Sequence, residues 1–416
     1  MSTANEYGRV NYDIKFFPNY INDDNSVFQG EPIDITPNVK SLVVTSSLQM
    51  FTTIFMSIGC TSSMLKALNP DSGCTAQIAI GPKGLAIPGW YVLVNSERIL
   101  NEDSGIYELH LEFVPPEIAI SPCFQRRFST DFADTINQAL MIIFEGKNMS
   151  AKQLWYDELI FGNPIFKAQS FWEYVQEANT YLSTQDNRPL LMYQKLNYSG
   201  GASWDILDPY EIETQNPTFV NIVNIQKLTK QEASQVLYDN SLNGHVAATD
   251  LQDSTYLDVN KKRKLDKTSF VMPQTPGFAT TASNTDKFIP EVIERVVSEY
   301  TNYDQLGINK FGMATVAHRN LKELLSTGLA SCITYNQQPT MLQPGQLIVA
   351  QSRDPSGTIK HGDYIILSTE VNTSNVTGFT VLTLLNIKYL KEFIKTLPSK
   401  DQTGFANNLR KDNVGK

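Results

Sequence analysis

LIVAQSRDPSGTIKHGDYIILSTEVNTSNVTGFTVLTLLN, residues Leu347–Asn386, has a second copy earlier in the chain. Cys74–Phe113 aligns with it without a gap at a constant offset of 273 residues, the distance from Gly89 to Gly362. Pro82, Gly84, Gly89, Tyr91, Glu97, Gly105, Leu109 and Leu111 fall on Pro355, Gly357, Gly362, Tyr364, Glu370, Gly378, Leu382 and Leu384. Identity is low, but the positions that agree are informative. Glycine and proline set chain direction, so their shared register implies shared turns.

Each copy reads as a β-hairpin. Trp90-Tyr-Val-Leu-Val94 answers Tyr364-Ile-Ile-Leu367, both β-branched or aromatic runs bounded by glycine. The partner strands are Ile106–Phe113 and Phe379–Leu385. Ile106–Phe113 alternates apolar with polar, as a strand does when one face is buried and the other wet.

The rest of the chain is read outward from these copies. Residues 1–115 are β-rich, with strands expected at Val10–Phe17 and Ser41–Leu48. Pro115, Pro116 and Pro122 end that module, since consecutive prolines cannot continue a ladder. Helices are expected at Ser129–Phe144, Gln169–Leu182, Thr229–Asn240, Pro290–Leu306 and Val316–Thr327, each with apolar residues at helical spacing or with capping signals. Strands are expected at Pro189–Leu196, Thr218–Gln226, His245–Asp250 and Leu329–Tyr335. The segment from Lys261 to Asp286 starts basic, continues rich in Pro, Thr, Ser and Ala, and reads as a loop. Ser399–Lys416 is a polar tail.

Length and composition narrow the function. A chain of 416 residues is long enough for two to four domains. A net charge of −9 argues against a dedicated nucleic-acid binder, which carries a basic face. Leu48–Cys60 is the longest weakly polar run and is too short to span a bilayer, so no membrane insertion is expected. The start of the chain has no apolar signal segment. Cys60, Cys74, Cys123 and Cys332 lack metal-like spacing and read as free thiols.

No catalytic, cofactor-binding or metal-binding residue is assigned. The sequence has no G-x-S-x-G, H-E-x-x-H, Walker or G-x-G-x-x-G motif. Gly81-Pro-Lys-Gly84 lacks the Lys-Ser/Thr that a phosphate loop needs. His110, His245, His318 and His361 are scattered. Asp205, Asp208, Glu211 and Glu213 cluster around Tyr210; paired carboxylates could hydrolyse a glycan, although acidic loops are more often simply solvated.

Two segments carry a family resemblance. Ser121-Pro-Cys-Phe-Gln-Arg-Arg-Phe128 precedes an amphipathic stretch, and Ser331-Cys332 on a strand precedes Leu342-Gln-Pro-Gly345. With the order of elements, these resemble the baseplate central hub protein of contractile-tailed, T-even-type bacteriophages, and the base domain of the type VI secretion spike is similar. The resemblance spans roughly Val10 to Phe393. The Lys261–Asp286 loop and the tail depart from it.

The resemblance implies a β-rich α+β fold with two similar antiparallel β-barrel tube domains, an α/β insert layer and a trimeric ring. The expected boundaries are 1–115 for the first barrel, 116–202 with 255–328 for the discontinuous outer domain, 203–254 with 329–393 for the second barrel, and 394–416 for the tail. It further implies a non-enzymatic adaptor of the virion tail, assembled in the host cytoplasm. Its partners would be two more copies of itself, the tail tube ring, the central spike and other baseplate proteins. DNA would pass without specific binding. Glu97, Glu370, Glu108 and Thr380 are the candidate lining of such a passage. The competing readings are a tail-associated hydrolase of cell wall or surface glycan and a β-rich scaffold of a secretion device.

Overall fold

A computed structural model describes residues 11–21, 27–70, 73–81, 88–101, 106–119, 159–160, 171–179, 183–184, 189–197, 201–223, 230–243, 245–253, 321–322, 324–325, 330–335, 342–353, 359–374 and 378–396. The expected helices Ser129–Phe144 and Pro290–Leu306 lie outside the described residues, as do Ser121–Phe128, Cys123, the Lys261–Asp286 segment, His318 and the tail. Described helices at Phe171–Asn179 and Lys230–Leu242 fall within or beside the expected Gln169–Leu182 and Thr229–Asn240.

The fold is β-rich, and one sheet of thirteen strands holds it together. From the N-terminus come β1 (Asn11–Phe17), the small hairpin β2 (Asn19–Ile21) and β3 (Val27–Gln29), then β4 (Ile33–Asp34). β5 (Val39–Ser47), β6 (Thr53–Cys60), β7 (Thr75–Gly81), β8 (Gly89–Asn101) and β9 (Ile106–Val114) follow. A two-residue pair, β10 (Leu159–Ile160) with β11 (Ser183–Thr184), and the hairpin β12 (Leu191–Asn197) with β13 (Gly201–Leu207) stand apart from the large sheet. The C-terminal half supplies β14 (Thr218–Ile222), β15 (Val246–Asp253), β16 (Ala330–Tyr335), β17 (Leu347–Arg353), β18 (Ile359–Ser374) and β19 (Gly378–Asn386).

The duplication is visible in the strand order. The first half runs β5-β6-β9-β8-β7-β1, and the second runs β15-β16-β19-β18-β17-β14. Tyr91 and Tyr364 stand on the equivalent strands β8 and β18. The β-bulges agree as well. The β8–β9 ladder slips between Leu93 and Asn95, and the β18–β19 ladder slips between Ile366 and Ser368. The extra residues are therefore Val94 and Leu367, 273 apart. A bulge aims the strand beyond it in a new direction, so both hairpins bend at the same place.

Two details correct the expected architecture. Among the described residues only the second barrel is a closed ring of strands, and it is mixed: β14 runs parallel to both β15 and β17, and β17 closes onto β18. In the first half β1 runs antiparallel to β7, and its outer edge carries only the short β4. The chain from β4 into β5 crosses the gap as a strap. The Ile35 amide donates to the Ile14 carbonyl (3.1 Å), the Ile14 amide donates to Thr36 Oγ1 (2.8 Å), and Ile35 is fully buried. On β9 the partner register differs from the sequence alignment by two residues. Phe113 faces Leu93 just before its bulge, as Leu384 faces Ile366.

Each barrel has its own core. Ile14, Phe16, Leu42, Ile54, Tyr91, Leu109 and Phe113 fill the first, and Val220, Ala248, Cys332, Ile348, Tyr364, Ile366 and Leu382 fill the second. A third cluster coats the outside of the second barrel, where Ile365, Leu367 and Leu385 meet the β12–β13 hairpin and the helix Ile387–Thr396. β18 thus alternates between two cores: Tyr364 and Ile366 point into its barrel, Ile365 and Leu367 out toward the helix.

Candidate assembly surface

The junction of the two halves is itself a ladder. Beyond its bulge, β18 leaves its own barrel and pairs antiparallel with β5 of the first, from Ser368 opposite Ser47 to Ser374 opposite Ser41. The Leu48 amide extends the ladder to the Leu367 carbonyl (2.9 Å). Val371 enters the first core beside Val44, and Thr369 and Thr373 are buried with it. One strand therefore walls both barrels, which fixes one against the other.

The equivalent segment of the first half is Asn95–Asn101 of β8. It pairs with β9 on one side, and no strand among the described residues pairs with its other side. The environment differs accordingly. Val94 is 38% exposed where Leu367 is 4%, and Leu100 is 49% exposed where Thr373 is 3%. Ile99 and Ile106 are also largely exposed on this hairpin. An edge strand left open, here with Ile99 and Leu100 exposed on it, is a template for another strand.

Next to this edge lies a polar face. Glu108 on β9 accepts from Lys40 Nζ (2.7 Å) and Ser57 Oγ (2.7 Å), and His110 Nε2 lies 3.5 Å from it. The Lys40 hydrogen bond, aided by Ser57, holds the Glu108 carboxyl below its ordinary value. Glu97 stands across from His110 on β8. Of the residues expected to line a passage, Glu97 and Glu370 are exposed and Glu108 is half-buried, whereas Thr380 is buried inside the second barrel. Thr380 faces the core because β19 alternates and Phe379 takes the outer position.

Two of the four carboxylates weighed for catalysis, Asp205 and Asp208, have structural partners. Asp205 on β13 forms an ion pair with Lys195 across the hairpin. Asp208, buried, accepts from the Tyr210 amide (2.8 Å) and holds the turn that follows β13. His245 contacts Asn221 Nδ2 through Nδ1 (3.1 Å) and packs at a tilt against the Phe219 ring, 5.3 Å between centroids. His361 sits on β18 opposite Gln351. Cys60, Cys74 and Cys332 are buried thiols outside any disulfide, and burial pushes the Cys332 thiol up to about 12. Among the described residues no three His, Cys, Asp or Glu side chains are grouped to hold a metal, and no helix is long and apolar enough to cross a membrane.

No family model and no curated protein matches this chain. Solved structures do. A tail protein from Neisseria meningitidis MC58 is 10% identical, with a TM-score of 0.46 over 90% of this chain and 96% of that one. The 43 kDa tail protein of prophage MuSo2 from Shewanella oneidensis is 9% identical, with a TM-score of 0.45 over 91% and 97%. The Escherichia coli c3393 protein is 8% identical, with a TM-score of 0.44 over 84% and 73%. It is described as a component of the type VI secretion system with structural similarity to the T4 bacteriophage tail proteins gp27 and gp5. Two of these structures are thus described as tail proteins and one as a component of a secretion system.

Proposed function

We propose that this chain is the structural hub of a phage tail baseplate, a trimer whose six barrels form a pseudo-sixfold ring. The observation that carries this reading is the duplication: two barrels of the same strand order, joined edge to edge in one chain. A threefold spike and a sixfold tube have no matching rotational symmetry beyond threefold. Three chains with two similar barrels each offer the tube six near-equivalent contacts while keeping a threefold face for the spike. The ring leaves a conduit for DNA. A net charge of −9 suits that role, because a passage rich in Lys and Arg would gain affinity for phosphates by counterion release and slow transit.

The role is that of an adaptor without turnover, located in the virion tail. Residues 1–115 form the first barrel of the ring and 203–254 with 329–393 the second. Residues 116–202 with 255–328 form an outer layer, and 394–416 form the tail. Negative-stain images of the purified chain test the reading. Class averages of a ring with six similar lobes and threefold symmetry are expected; isolated two-lobed particles at micromolar concentration would reject it.

A further inference from the structure

We propose that Arg98–Asn101 of the open β8 edge pairs with the end of β15 of a second copy of this chain, repeating between chains the ladder that β18 makes with β5 inside one. This rests on the ring reading and names the contact that closes the ring. The first argument is occupancy. At the offset of 273, Asn95–Asn101 is the counterpart of Ser368–Ser374, the segment already seated on β5. The strand equivalent to β5 is β15, since each begins its barrel's strand order. Six strands separate β8 from β15 within the chain's sheet, so β15 is available only from another copy.

The second argument is that β15 has room. Phe113 and Leu384 are equivalent, being opposite the residues before the matched bulges; they pair with Ile54 and Ala330, which pair with Val44 and Asp253. Val44 therefore corresponds to Asp253, and Val43 to Gln252. On the side where β18 would lie, β14 pairs with β15 only over Val246–Ala248. Among the described residues no strand covers Thr249–Asp253 on that side.

The third argument is chemistry. In the internal ladder Val371 lies opposite Val44 and Asn372 opposite Val43. Carried to the outer contact, Arg98 lies opposite Asp253 and Ile99 opposite Gln252, and one residue further Leu100 meets Leu251. At the positions of the valine pair the sequence has residues of opposite charge, Arg98 and Asp253, and the exposed Leu100 comes opposite Leu251. Residues directly opposite in an antiparallel ladder share a face and interact. The same patch does not face itself, so the contact is head-to-tail, the kind that generates a ring when its rotation closes.

Paired cysteines test the register. Cα atoms opposite each other in an antiparallel ladder are about 4.5 to 5.5 Å apart, within disulfide range. The full chain carrying Ile99→Cys with Gln252→Cys should give covalent multimers under mild oxidation, and neither single variant should. Arg98→Glu should weaken assembly at least tenfold, and adding Asp253→Arg should restore it, with thermal melts checking that each variant is folded. An assembly of wild-type size that neither crosslinks nor responds to the charge variants overturns this contact while the hub reading stands. A chain that stays monomeric at all concentrations overturns both.

Discussion

Gly345→Ala tests how the outer β12–β13 hairpin is locked to the second barrel. Gln343-Pro-Gly-Gln346 is a tight turn, with the Gln346 amide donating to the Gln343 carbonyl (3.3 Å) and Gly345 at φ +84°. Proline before a glycine of positive φ is the type II pattern. The Gly345 amide donates to the Ile366 carbonyl (2.8 Å), so the turn is tied to β18 just before its bulge. A Cβ at 345 would stand 2.5 Å from Tyr193 Oη and 3.0 Å from its Cζ, and Tyr193 is buried. The left-handed backbone costs a residue with a Cβ roughly 1–2 kcal/mol. Overpacking a core side chain costs roughly 1–3 kcal/mol.

The sum is about 3 kcal/mol, which at a urea dependence of about 2 kcal/mol/M lowers the midpoint by about 1.5 M. Trp204, buried on β13, reports the transition by fluorescence. Adding Tyr193→Phe removes the nearest atom and should return about half of the loss, leaving the backbone part; a double-mutant cycle separates the two. A midpoint shift under about 0.3 M for Gly345→Ala would show that the hairpin is not held against this turn, and the reasoning would fail.

Two further outcomes are expected. Phe113→Ala removes a fully buried ring packed edge-on against Phe16 (6.4 Å between centroids) and should cost about 3–5 kcal/mol by the same denaturation assay; under 1 kcal/mol would mean that the first barrel has no packed core there. Glu108 has its carboxyl lowered from 4.5 on folding, so its contribution is present above that pH and is lost as pH falls through the folded-state value. Wild type should therefore lose more stability than Glu108→Gln between pH 6 and pH 3, and equal losses would dismiss the Lys40 interaction as a source of acid sensitivity.

Much of the repeat was legible in the sequence. Gly89, Tyr91 and Glu97 placed β8 on β18 in the register that the bulges at Val94 and Leu367 mark. The partner strand was misaligned by two residues because a strand alternates with period two. A slip of two leaves every side chain on its face, so Leu109 and Leu111 matched Leu382 and Leu384 as readily as their true counterparts would have. The parallel closure by β14 was not readable, since Thr218–Ile222 carries no sign of its direction. The helix Ile387–Thr396 was missed because its apolar residues directly continue the run of β19. The open β8 edge was beyond reach from sequence. Ile99 and Leu100 look like core residues of a hairpin, and only the seating of β18 on β5 reveals that no strand among the described residues takes the matching place beside them.

The native mass of the purified 416-residue chain tests the central claim most directly. Three copies of the 46.7 kDa chain give an assembly of about 140 kDa. A single species of that mass at micromolar concentration is the predicted result. A monomer, or a twofold dimer at any concentration, would contradict the hub.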